Sequence, residues 1–117
     1  MNSVKASHLF KRKVKPLVKK YHTLKQSIDD LGNELIKNPY LGESYGKNIY
    51  KVRLADESKG KGKSGGFRVL YYLAVQQDEN IFITLLTIFD KGEINTIKKK
   101  DAEAILMQVL DELDNGI

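Results

Sequence analysis

Apolar residues in the first third of the chain fall at Phe10, Val14, Leu17, Tyr21, Leu24, Ile28, Leu31 and Leu35. These intervals of four and three make one stripe down a helical surface, with polar residues between. A single long helix is not expected. Thr23-Leu24-Lys25-Gln26 has the T-x-x-Q form of a capping box, which predicts a second helix from about Leu24 and a turn at Tyr21–Thr23. Ser7 is placed to cap the first helix. Pro16 lies inside it and removes a backbone donor, so that helix is expected to kink there or to begin nearer Lys15. The second helix should end before Asn38-Pro39, because a residue preceding proline avoids the α region.

Beyond residue 48 the period changes from that of a helix to that of a strand. Ile49 to Leu54 alternates, with Tyr50, Val52 and Leu54 on one face and Ile49, Lys51 and Arg53 on the other. Residues 56–66 are rich in glycine and lysine and read as a loop. Phe67 to Val75 and Ile81 to Phe89 read as two further strands joined by the polar linker 76–80. Both are apolar on either side, which places them centrally in a covered sheet. A last helix from about Lys99 presents Ile105, Leu106, Val109, Leu110 and Leu113 on one face. The expected fold class is α+β: two N-terminal helices packed on a small, mainly antiparallel sheet, with a C-terminal helix. At 117 residues the chain, 1–117, is read as one domain.

Composition narrows the chemistry. Cysteine is absent, which excludes disulfides and thiolate metal sites. The first residues have no apolar core of a secretory signal, and the longest apolar stretch, Ile81 to Phe89, is far too short to span a membrane. A cytoplasmic location without membrane partners is therefore expected. The net charge is +5 and is unevenly spread. Residues 1–30 carry eight Lys/Arg against two Asp/Glu, residues 51–72 six against two, and residues 73–117 four against nine. Such basic blocks suit a polyanion or an acidic protein, or serve only as a solvated surface.

His8 and His22 have no acidic or histidine neighbour at ligand spacing and read as surface or capping residues. There is no nucleophile-elbow sequence. Lys59-Gly60-Lys61-Gly62-Lys63-Ser64 lacks the phosphate-loop form and lies between strands. Carboxylates are scattered, so no metal ligand set and no cofactor site is expected. What remains is a set of cations around the sheet. Lys51 and Arg53 share a strand face, Lys59, Lys61 and Lys63 lie in the loop, Arg68 opens the next strand, and Lys91 follows the last one. Arg68 is exposed on one face, buried against the sheet, or holding an anion; the solvent face is the expectation.

Lys63-Ser64-Gly65-Gly66-Phe67-Arg68-Val69-Leu70-Tyr71-Tyr72 resembles the K-x-G-G-x-R-V-x-Y-Y signature of the RelE/HigB-like toxins of type II toxin–antitoxin modules. Leu85 to Glu93 is similar to their companion segment L-L-x-x-[YF]-x-K-x-E. Tyr50 to Leu54 resembles the family's second strand with its basic residues, and Phe10 to Tyr21 its basic first helix. The likeness covers nearly the whole chain and implies that the weakly apolar Ser3 to Ala6 is the first strand. It also implies an endoribonuclease acting on messenger RNA, typically in the ribosomal A site, and a neutralising antitoxin, expected to contain a helix-turn-helix. Cleavage would proceed by attack of the RNA's own 2′-hydroxyl. Arg68 would stabilise the phosphate, with Lys51 or Arg53 sharing this. Lys51 or Lys91 would be the base, or Glu93 would be the base or orient Lys91. Lys59, Lys61 and Lys63 would hold RNA, and either Tyr71 or Tyr72 would stack on a base while the other joins the core; Tyr72 is the candidate RNA contact. The family's catalytic tyrosine after the last strand has no counterpart near Ile97, and Lys91 occupies the place of its last catalytic arginine. Other readings are a ParE-like toxin directed at gyrase, a binding module without catalysis, and a basic scaffold protein.

Overall fold

A computed structural model describes residues 2–59, 66–76, 78–90 and 97–115. The elements run β1 (Ser3–Ala6), α1 (His8–Lys20), α2 (Leu24–Lys37), β2 (Glu43–Ser44), β3 (Ile49–Leu54), a 3-10 turn (Glu57–Lys59), β4 (Phe67–Val75), β5 (Ile81–Asp90) and α3 (Lys99–Asn115). They form a five-stranded sheet in the order β1-β5-β4-β3-β2. Three of its pairings are antiparallel, and β1 runs parallel to β5.

The two-faced apolar strands lie where their composition requires. β4 and β5 occupy interior positions and are covered on both sides. Phe10 of α1 and Leu24, Leu31 and Leu35 of α2 pack against Val52, Leu54, Phe67, Val69, Tyr71 and Ile83. On the opposite face Ala102, Leu106 and Val109 of α3 pack against Ile49, Leu70, Leu86 and Phe89. Each fully buried leucine or isoleucine contributes about 1.5–3 kcal/mol relative to exposure. A bulge between Leu70 and Tyr71 leaves Leu86 as the extra residue of β5 and turns it into the α3 layer.

Several local expectations need correcting. The first helix does not begin near Lys15: it starts at His8 and continues through Pro16. Its start is fixed early because the Ser7 hydroxyl accepts from the Phe10 amide and donates to the Leu86 carbonyl of β5. The second helix does begin at Leu24, but the capping box does not form. The Thr23 hydroxyl is diverted to Asp56, and the Gln26 amide nitrogen donates to Asp30. The two-residue β2 was not expected. It is too short to carry a period, and both its side chains are exposed.

Candidate functional site

β3 and β4 are paired so that Arg53 lies directly opposite Arg68. The side of β3 that faces away from β4 can be read from its first residue. The Ile49 amide donates to Gly46 O, and its carbonyl accepts from the Tyr45 amide. Ile49, Lys51 and Arg53 therefore direct their backbone groups outward, which makes Arg53–Arg68 a non-hydrogen-bonded pair with Cα atoms only about 4.5 Å apart. Two guanidiniums are thus held together on one sheet face, an arrangement that costs stability unless an anion lies between them.

Arg68 is not on the solvent face. It is only 8% exposed, with Phe89 as its cross-strand neighbour. Flanking residues leave its backbone almost no room: a Cβ on Gly66 would lie 2.2 Å from Leu54 O, so the chain enters β4 in contact with the end of β3. The Arg68 Nη1 donates to its neighbour's carbonyl, Phe67 O, at 3.1 Å. No ion pair to Arg68 or to Arg53 occurs among the described residues. Burial, and then the charge of Arg53, lower the pKa of the Arg68 guanidinium from its ordinary value. It remains protonated at any physiological pH.

These residues line a cleft of about 940 Å³. Its floor is the outer edge of β3 from Lys51 to Ala55, and Arg68, Phe89 and Ile97 close one side. The other side is formed by α2 through Ser27, Asp30, Leu31 and Glu34, and Leu41 to Glu43 close the end. Lys51 is half-buried there, with its Nζ 5.1 Å from the centre of the Tyr45 ring and 3.9 Å from Glu43. The structure therefore brings Lys51, Arg53 and Arg68 together. Tyr72 is not with them: it is half-buried beside the α3 layer, and it does not line the cleft. Tyr71 points to the opposite face and is fully buried. The side chain of Lys59, and Lys61, Lys63, Lys91 and Glu93 entirely, lie outside the described residues. Among the described residues no group of three or more His, Cys, Asp or Glu is placed to hold a metal ion, and no helix is long and apolar enough to cross a membrane.

Two polar arrangements around the cleft were not anticipated. Asp56, only 3% exposed, accepts hydrogen bonds from the Thr23, Ser27 and Ser58 hydroxyls. Burial raises its pKa, but the bonds from Ser58, Ser27 and Thr23 outweigh burial and hold the carboxyl below its ordinary value. This ties the start of α2 to the root of the lysine-rich loop. Thr23 and Ser27, four residues apart on one helix face, were the available signal. The second arrangement is a clamp. The buried Tyr71 hydroxyl donates to Pro39 O and accepts from the Gly42 amide, both at 2.9 Å. A Cβ on Gly42 would lie 2.7 Å from Lys51 O and 3.1 Å from this hydroxyl, so only glycine fits without a shift.

The free state of a mutant of the E. coli toxin RelE, with two arginines replaced by alanines, aligns with 94% of this chain and 95% of its own, at a TM-score of 0.52 and 14% identity. The chain has a RelE-like fold. No protein-family model matches the sequence. At this identity the likeness to RelE concerns the backbone arrangement, and the roles of individual side chains rest on their own geometry.

Proposed function

We propose that the chain, acting as one domain, is the toxin of a type II toxin–antitoxin module and cuts messenger RNA in the cytoplasm without a metal ion. The observation that supports this most is the Arg53–Arg68 pair, in register and without an acidic partner among the described residues. A phosphate between the two guanidiniums would neutralise the repulsion and receive planar, two-pronged hydrogen bonds. Fixed cations aimed at developing charge are commonly the largest catalytic contribution. The RNA's 2′-hydroxyl attacks the adjacent phosphorus and the 5′ oxygen leaves. The products are a 2′,3′-cyclic phosphate and a free 5′-hydroxyl. Lys51, which lines the cleft, Lys91 and Glu93 are the candidates to take the 2′ proton. Lys59, Lys61 and Lys63 are the candidate contacts to the RNA backbone; Tyr72, half-buried beside α3, would reach a base only outside the cleft. A neutralising antitoxin is the expected protein partner, and the ribosomal A site is one place of action.

The test is single-turnover cleavage of an RNA in excess EDTA, with and without ribosomes. Cleavage should persist, leave a cyclic or 3′-phosphate, and stop when the nucleotide at the cut carries no 2′-hydroxyl. A 2′-deoxy substrate that is still cut removes this mechanism. Binding without cleavage would favour a non-catalytic module, and gyrase poisoning without RNA cleavage a ParE-like toxin. Binding should weaken as salt rises, and alanine at Lys59, Lys61 and Lys63 together should lower affinity alike for all sequences.

A further inference from the structure

β2 stops at Glu43, opposite Lys51, although β3 runs on to Leu54. Continued by two residues, the same register would set Leu41 opposite Arg53, with a backbone hydrogen bond in each direction. That rung is missing. The Leu41 amide turns back to Asn38 O at 3.2 Å, and the Arg53 amide and carbonyl have no strand partner among the described residues. Open edges take up a further strand readily, and Leu41, 40% exposed, stands at the end of this one.

The group that holds the segment off comes from one strand further in. Tyr71 of β4 lies opposite Tyr50 of β3, fully buried, with its ring stacked on that of Tyr50 at 5.4 Å between centres. Its hydroxyl reaches past β3 to Pro39 O and the Gly42 amide. Burial raises the pKa of this hydroxyl against the lowering effect of the Gly42 amide, so it keeps the proton that it donates to Pro39 O. In a longer β2, Gly42 would oppose Val52 in a non-hydrogen-bonded pair and point its amide outward, away from β3. Bonded to Tyr71 it points inward, and the next rung cannot form while that bond lasts.

We infer that Tyr71 is a positioning residue for the cationic cleft, ending β2 at Glu43 and so keeping the edge beside Arg53 open. Released, residues 41–42 would add the missing rung. Directly opposed residues send their side chains to the same face of a sheet, so Leu41 would stand beside Arg53 on the face that carries Arg68. An apolar side chain there takes the space of a phosphate between the two guanidiniums. The effect on RNA rests on the nuclease reading above; the state of the edge does not.

Amide hydrogen exchange on the full-length protein reads the edge without RNA. In the wild type the Gly42 amide should be protected and the Arg53 amide should exchange freely. Tyr71→Phe keeps the ring and removes the hydroxyl. It should reverse this pattern, slowing Arg53 at least about tenfold and speeding Gly42, whereas a merely destabilised fold would speed both. In cleavage assays on a uridine oligonucleotide the variant's KM should rise about tenfold with little change in kcat, the size of one lost hydrogen bond to a charged group. Adding Leu41→Pro, which removes the amide donor of the new rung, should free the Arg53 amide again and restore KM without restoring the melting temperature. A wild-type Gly42 amide as labile as that of Arg53, an Arg53 amide not slowed in Tyr71→Phe, or a defect that Leu41→Pro does not relieve each overturns the proposal. A protein that shows the reversal but cuts no RNA loses only the nuclease reading, and one that cuts RNA without the reversal loses only the role of Tyr71.

Discussion

Asp56, just after β3, and Arg68, at the start of β4, are both charged and both almost fully buried, yet their surroundings differ in kind. Asp56 has three hydroxyl donors, which together overcome the cost of its burial. Arg68 bonds to the carbonyl of the residue before it and faces a second arginine. A buried charge with its valences filled holds a structure together. One that is left short, against a like charge and open to a cleft, has a site's energetics, because the missing interactions are available to a ligand. Position in the sequence gives no hint of this difference; both residues come from a stretch that reads as basic loop and strand start.

Breaking each side of this contrast should have opposite consequences. The largest effect is expected for Arg68→Ala, with cleavage about 10²–10³-fold slower in single-turnover assays. The melting temperature should stay the same or rise, since the change removes a like-charge contact. A melting temperature that falls together with the activity would make Arg68 a structural residue like Asp56. Asp56→Ala should do the reverse and lower stability in urea titrations by about 2–3 kcal/mol, the scale for hydrogen bonds to a charged group.

The contrast also has a pH signature. The Asp56 carboxyl is held below its ordinary value, so it stabilises the fold above that value, and the contribution is lost as pH falls through the folded-state value. Wild-type stability should therefore drop in the acid range below about pH 4, and Asp56→Asn should flatten that part of the profile. An unchanged acid limb in Asp56→Asn would mean that other carboxylates control acid unfolding.

Smaller changes sharpen the picture. Tyr71→Phe should cost about 1 kcal/mol, because Pro39 O and the Gly42 amide lose their partner while the ring stays packed. Arg53→Ala should raise stability by a few tenths of a kcal/mol through relief of the cross-strand repulsion. In the Arg68→Ala background that gain should vanish, and a double-mutant cycle on melting measures the coupling.

The framework was legible because long elements repeat their signal. The stripe from Phe10 to Leu35 marks both helices of one layer, and the double-sided apolar runs mark β4 and β5 as interior. β1 has too little apolar content to announce itself and was reached through family resemblance alone. β2 is two residues whose partner, β3, defines it. At Thr23 a local rule gave the right helix start for the wrong reason: the hydroxyl found a carboxylate 33 residues away instead of its own helix. The cleft was half legible. Alternation put Lys51 and Arg53 on one face, but the burial of Arg68, the acidic wall of α2 and the clamp at Tyr71 depend on tertiary neighbours that no spacing encodes.

The parallel pairing of β1 with β5 sets an order of assembly. Ser3 lies beside Phe82, and the Ser7 hydroxyl that starts α1 also bonds to Leu86 O, 79 residues on. Closing so long a loop is slow relative to forming local helices. A chain still being synthesised can pair α1 with α2 early, while its first strand waits until β5 has emerged. The Arg53–Arg68 pair depends on the β3–β4 hairpin, which lies entirely before β5. A nascent chain released too soon would carry its cations but not the sheet that fixes them.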